Sequence, residues 1–324
     1  MKPRAAAATA SLAIFALGAS VIAGGGVWGN FGGSVTSAGN TITAATDYRA
    51  PTASAAVIAK TAGGSGGFIK KGGTYYVYAN VTDTGNPASG VSSVTANVST
   101  ITSGTTAAAL SAGTFTVDGV SYNRRSASLT AGSTLTAGTY TFSLTMTDAA
   151  SNSGTASGFS VAVDNTVPTA SDIQAVNGST ITGRAQQGDS ITYAFSEPPD
   201  PNSILAGWTG GSTSVVVRLN NATNDTVTIF NAANATQLPL GSINLARSDY
   251  TTANLTFGAT GTASTMVLSG NTITVTLGTQ SAAATTAAST GSMIWTPSAT
   301  ATDRAGNATS TATATELGTL DMEF

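Results

Sequence analysis

The chain has 324 residues, of which only 8% are charged, and it contains neither His nor Cys. Those absences exclude a Ser-His-Asp triad, a Cys nucleophile, a His/Cys zinc site, thiolate clusters and a disulfide framework. Four Lys and eight Arg, against 15 acids, leave a formal charge of −3, which is too little basic surface for a nucleic-acid groove.

Lys2 and Arg4 precede an apolar stretch from Ala5 to Ala23, built on Leu12, Ile14, Phe15, Leu17, Val21 and Ile22. Small residues follow to Gly26. This is the pattern of a secretory signal peptide over residues 1–26, with Ala23 a fitting last residue before cleavage. The stretch is short for a bilayer span and rich in Ala and Gly, so no stable membrane span is expected after cleavage. Residues 27–46 read as a linker. Within it, Trp28 and Phe31 are followed by Gly39-Asn40-Thr41-Ile42-Thr43-Ala44. This segment resembles the processing junction of camelysin-type and biofilm-fibre proteins. Gly32-Gly33-Ser34 stands where those proteins carry acids, and Ile42 where they carry an aromatic. The resemblance implies export, hence a secreted or cell-surface protein.

From residue 47 onward, Thr, Val, Ile and Tyr recur in short alternating runs bounded by Gly, Asn, Asp and Pro, the composition of many short strands. No helical period is sustained. Expected strands in the first half are Thr74–Thr82, Val91–Val98, Gly113–Val117, Thr139–Thr147 and Phe159–Val163. In the second half they are Ser190–Ser196, Ser214–Leu219, Thr226–Phe230, Thr272–Leu277, Met293–Thr302 and Ala308–Thr315. Parallel sheets need crossover helices, so antiparallel sandwiches are expected.

The chain also repeats itself. Pro51-Thr52-Ala53-Ser54 matches Pro168-Thr169-Ala170-Ser171 at an offset of 117, which also pairs Tyr76 and Tyr78 with Tyr193 and Phe195. Tyr140–Asp148 matches Trp295–Asp303 at an offset of 155, and Asn152 then matches Asn307. The difference between offsets gives the second copy a longer middle. Two domains are expected, 47–164 and 165–324. Val81-Thr82-Asp83 with Ser89-Gly90-Val91, the turns Asp148-Ala149-Ala150-Ser151-Asn152 and Asp303-Arg304-Ala305-Gly306-Asn307, and the linker Val163–Pro168 resemble bacterial immunoglobulin-like surface domains. Copy one departs at Ser151, where the motif has Gly. The resemblance implies an all-β fold of two tandem immunoglobulin-like β-sandwiches, the second with an insertion. It also implies a non-enzymatic structural or adhesive role, with other surface or matrix proteins or glycans as partners.

The repeat aligns carboxylates. Asp47, Asp83 and Asp148 in copy one correspond to Asp164, Asp200 and Asp303 in copy two, since Asp83 and Asp200 each lie 36 residues after the first acid of their set. In an immunoglobulin topology each set converges where the chain enters its sandwich. Oxygen clusters of this kind suit Ca²⁺, and Asn86, Asn152, Glu197, Asn202 and Asn307 are additional donors. The competing reading is turn chemistry, because Asp and Asn also cap tight turns through their own backbone. A carbohydrate-binding site around Trp208 and a glycosidase pair of Glu197 and Asp200 are the alternative functions. Lys60, Lys70 and Lys71 lie in or beside Gly-rich sequence read as a flexible loop, and Arg124-Arg125 reads as a solvated hairpin tip.

Overall fold

The computed structural model describes residues 35–37, 40–42, 47–319 and 321–324. The segment 1–26, whose sequence reads as a signal peptide, and most of residues 27–46, Trp28 and Phe31 included, lie outside the described residues. β1 (Val35–Ser37) and β2 (Asn40–Ile42) pair antiparallel. Among the described residues no helix is long and apolar enough to cross a membrane.

The protein is all-β, and among the described residues two large sheets follow one another along the chain. The first is formed by β3 (Thr52–Lys60), β4 (Phe68–Ile69), β5 (Thr74–Thr82), β6 (Val91–Asn97), β7 (Ala108–Val117), β8 (Val120–Ser126), β9 (Leu129–Thr130), β10 (Gly138–Asp148) and β11 (Ser153–Val163). Its strand order is β3-β5-β8-β7-β6-β10-β11-β4, with β9 beside β5. β7 holds the two halves together: its start pairs with β6 and its remainder with β8. β11 packs on β3, and β5 on β6 and β7, so the halves face each other as a sandwich. All pairs are antiparallel except β4 with β11, where Ala162 and Val163 run parallel to Phe68 and Ile69.

Alternation along β5 explains the layering. Tyr75, Val77, Ala79 and Val81 point into a core shared with Ile58, Val94, Leu144, Met146 and Val161. Tyr78 points the other way, into a small cluster with Val117 and Tyr122 against which Tyr76 and Phe115 pack. Arg125 lies in β8, not at a hairpin tip. Its guanidinium sits 4.4 Å from the ring centres of both Tyr76 and Phe115, where cation–π attraction and its own stem cover the aromatic face. The turn between β7 and β8 is Asp118-Gly119, a two-residue hairpin connection.

The second sheet contains β12 (Ala170–Val176), β13 (Ser190–Phe195), β14 (Thr213–Asn220), β15 (Thr226–Asn231), β16 (Ser242–Asn244), β17 (Leu255–Phe257), β18 (Ser264–Ser269), β19 (Thr272–Thr276), β20 (Ile294–Thr296) and β21 (Ala314–Thr315). The order is β12-β13-β19-β18-β14-β15-β16-β20-β21, with β17 beside β14. β12 also packs against β20 and β21, which brings the ends of the path together in a barrel-like closure. In the first sheet β10 pairs directly with β6; in the second, β15 and β16 intervene between β14 and β20. The longer middle is therefore built into the sheet. Its Leu238 and Leu240 are buried, and the Leu240 carbonyl accepts the Trp295 indole N–H at 2.6 Å. Trp295 meets Tyr193 and Phe195 edge-on, at 5.2 and 4.9 Å between ring centres. β20 ends at Thr296, short of the expected Thr302, because Pro297 has no N–H to continue the ladder.

Both sheets carry a bulge at the same repeat position, Ala53/Ala55 in β3 and Ala170/Asp172 in β12. The following strands are offset differently. Thr52 pairs with Thr82, whereas Thr169 accepts the Ser196 N–H. The path from the first strand to the second is thus three residues shorter in the second unit. An odd shift reverses which side chains face inward. Tyr193 and Phe195 are core residues, while Tyr76 and Tyr78, aligned with them by the 117-residue offset, face away from the main core.

Candidate metal centre

Each unit builds the same turn after its late strand. The Asp148 N–H donates to the Asn152 carbonyl at 3.1 Å, and the Asp303 N–H to the Asn307 carbonyl at 3.0 Å. Asn152 donates its backbone N–H to Asp148 Oδ1 and its side-chain N–H to Asp148 Oδ2, both at 2.8 Å. Asn307 does the same with Asp303, at 2.8 and 2.7 Å. The Asn amide reaches on to the incoming chain, donating to the Asp47 carbonyl at 3.1 Å and, in the second unit, to the Asp164 carbonyl at 3.0 Å. Ser151 and Gly306 occupy the same left-handed position, with φ of 70° and 91°. Gly is there by conformational preference, and Ser bears the strain of the same turn.

This wiring carries the first acid of each set to the turn. One carboxylate oxygen each from Asp47, Asp83 and Asp148 lies within 4.8 Å of the other two. In the second unit the corresponding group is Asp164, Glu197 and Asp303. Glu197 takes the place expected for Asp200 because of the three-residue shortening before β13: it lies 33 residues after Asp164, where Asp83 lies 36 after Asp47. Asp200 is elsewhere. It caps the four-residue helix α1 (Pro201–Ile204), accepting the Asn202 N–H, and its other oxygen pairs with Lys60 of the first unit. Asn202 serves that cap and accepts the Gly207 N–H through its side chain at 2.9 Å.

The two groups differ in how their oxygens are satisfied. Asp47 accepts the Arg49 and Ser89 N–H groups at 2.9 and 2.8 Å, which hold its carboxyl below the usual carboxylate range. Asp83 accepts the Gly85 and Gly90 N–H groups at 3.3 and 2.7 Å. The oxygens of the first group are largely satisfied by backbone donors, as in a turn network. In the second group Glu197 Oε1 is buried with no hydrogen-bond partner. Burial, then the negative charges of Asp164 and Asp303, push the Glu197 carboxyl up to about 7. Three carboxylates this close favour either a retained proton or a cation. An all-oxygen set with an unsatisfied carboxylate fits a hard divalent ion.

The second group lies where the first unit meets the second. Lys60 Nζ donates to Asp200 Oδ2 and to the Arg304 carbonyl, the latter at 2.7 Å. Lys70 Nζ donates to the Gly306 carbonyl at 2.5 Å, and the Lys71 N–H to Asn165 Oδ1 at 2.8 Å. The Gly-rich 60–71 segment is thus a docking contact on the 303–307 turn. Gly64 packs so close to Asp200 that a Cβ there would run into its carboxylate.

The alternative site residues are placed otherwise. Trp208 is 7% exposed, belongs to the second core and donates its indole N–H to the Gly211 carbonyl at 2.5 Å. Its ring is not presented for sugar stacking. Asp200, committed to Lys60 and α1, does not join the carboxylate group of Glu197. No protein-family profile and no curated protein matches the chain.

Proposed function

We propose that the chain is an exported, non-enzymatic protein of the cell surface or extracellular matrix, made of two immunoglobulin-like domains joined by a Ca²⁺-stiffened linker. The strand order supports the immunoglobulin reading. β3-β5-β8-β7 corresponds to an A-B-E-D layer, and β6-β10-β11 to C-F-G. The signal-like segment at residues 1–26 supports export, and the partners would be other surface or matrix proteins or glycans.

The observation that carries the functional reading is the second acid group. Asp164 belongs to the linker, Glu197 follows β13, and Asp303 opens the turn that Lys60 and Lys70 grip. An ion held by these three would tie the linker to two loops and, through the lysines, to the preceding unit. The group at Asp47, Asp83 and Asp148 would hold the incoming chain in the same way, more weakly because backbone donors already occupy its oxygens.

Thermal melting of the full chain in chelator and in millimolar Ca²⁺ tests this. An ion at 100 times its dissociation constant adds about 2.7 kcal/mol to the stability of the unit that binds it. Asp303→Ala should remove the part of the Ca²⁺-dependent shift that this group supplies and leave the part that other sites supply. Equal melting temperatures with and without Ca²⁺ would reduce both groups to turn networks.

A further inference from the structure

The segment 316–324 carries a third carboxylate group, remote in sequence from the repeat. The Glu316 N–H donates to the Met293 carbonyl at 2.9 Å, and Glu316 Oε2 accepts the Met293 N–H at 3.1 Å. Asp321 forms an isolated bridge with Gly291. The Glu323 N–H donates to the Tyr250 hydroxyl at 2.8 Å, and the Phe324 ring meets the Tyr250 ring edge-on. These contacts bring one carboxylate oxygen each from Glu316, Asp321 and Glu323 within 4.8 Å of one another.

Glu323 decides what the group is for. It is 1% exposed, and neither of its carboxylate oxygens has a hydrogen-bond partner. Burying an ionised carboxylate without donors is costly, and two more acids face it. Among the described residues no basic side chain is ion-paired with them: the ion pairs are Lys60–Asp200 and Arg247–Asp249.

We propose that Glu316, Asp321 and Glu323 form a Ca²⁺ site that fastens the 316–324 segment to the second unit. The donors are all oxygen, which selects a hard cation. They come from irregular chain around one exposed acid, Asp321, where water can complete a flexible shell, and this favours Ca²⁺ over the strict octahedron of Mg²⁺. The ion would close the seam between β20, β21 and the segment that crosses Tyr250. This site does not rest on the two acid groups of the repeat.

Equilibrium dialysis of the full chain against Ca²⁺, with hydrogen exchange read in parallel, tests it. Asp321→Asn alters an exposed residue and spares the fold; it should weaken one Ca²⁺ site about tenfold or more through loss of a ligand charge. Glu323→Gln should remove that site, so one fewer ion binds than in the wild type, while Asp303→Asn leaves it in place. Ca²⁺ should slow exchange at the Glu316 and Glu323 amides in the wild type and not in Glu323→Gln. Unchanged Ca²⁺ stoichiometry and affinity in both the Asp321 and Glu323 variants would overturn the proposal, with Glu323 then buried as the neutral acid. Wild-type exchange at those amides that ignores Ca²⁺ would overturn it equally.

Discussion

Replacing Lys60 with Met strips the positive charge from a contact that joins the two units while keeping most of the apolar stem. The Lys60 side chain is 9% exposed and that of Asp200 is 1% exposed. With Met in place, Asp200 Oδ2 loses its ionic partner and the Arg304 carbonyl loses a donor; Asp200 Oδ1 still accepts the Asn202 N–H at 3.1 Å. A buried carboxylate left without its counter-charge costs about 3–5 kcal/mol. Asp200→Asn in the same background removes the stranded charge and keeps a good N-cap for α1. The double variant should therefore recover roughly 2 kcal/mol relative to Lys60→Met, giving a coupling energy of that size in a double-mutant cycle. Urea unfolding of the full chain, followed by tryptophan fluorescence from Trp208 and Trp295 in the second unit, provides the measurement. A Lys60→Met cost below about 1 kcal/mol, additive with Asp200→Asn to within about 0.5 kcal/mol, would refute the claim that this pair is a coupled, buried docking contact.

Other outcomes follow from the same geometry. The Glu197 carboxyl lies near 7 in the folded protein, against 4.5 unperturbed, so the folded state holds a proton that the unfolded state has lost between those values. Metal-free stability should therefore fall as pH rises from about 4.5 to about 7, by about 1–2 kcal/mol after allowing for solvent screening of a partly exposed group. Glu197→Gln should make that slope shallower, the buried Glu323 carboxyl, pushed up to about 9, keeping its own share of the fall, and a slope unchanged by the substitution would count against it. Ca²⁺ binding at this group must displace the proton, so dialysis should show tighter binding at pH 8 than at pH 6. Ser151→Gly should stabilise the first unit by about 0.5–1 kcal/mol, the relief of left-handed strain less the added freedom of the unfolded chain. Gly306→Ser should cost about 1–2 kcal/mol, since its Cβ also meets Lys60 Cδ at 3.3 Å; melting curves showing the opposite signs would overturn the equivalence of the two turns. Trp295→Ala should cost about 3–5 kcal/mol in the same assay, as a fully buried aromatic does.

Much of the architecture is legible in the alternation of apolar residues. Thr74–Thr82 and Thr139–Thr147 have strong period-two patterns and form β5 and β10 almost residue for residue. β3 and β12 are weaker as patterns, because Ala, Ser and Asp fill positions that a bulge then takes out of register. Arg124-Arg125 reads as polar because charge is visible in a sequence, while the aromatic rings that cover Arg125 come from β5 and β7. The acids at 47, 83 and 148 are brought together by the repeat spacing. The repeat offset misaligns Asp200, because the Pro-Thr-Ala-Ser match registers the first strand of each unit and is silent on the length of the connection that follows. Matching apolar, hydroxyl and acid together, Val81-Thr82-Asp83 with Phe195-Ser196-Glu197, identifies Glu197. The docking role of Lys60 and Lys70 depends on contacts more than 100 residues away in sequence, which no local pattern carries.

The register of β10 has a mechanical consequence. Asp148, at its end, sits beside Asp47, where the chain comes in; Gly138, at its start, pairs with Val163, where the chain goes out. The two ends of the first unit are therefore separated by the length of an eleven-residue strand, roughly 35 Å at the usual rise. Tension applied through Asp47 and Asp164 acts along β3 and β11, parallel to their axes. The ladder bonds of β3 with β5 and of β11 with β10 would then be sheared together, sharing the load, instead of being unzipped one at a time. The parallel pair of β4 with β11 adds its bonds at the point where the force leaves the unit.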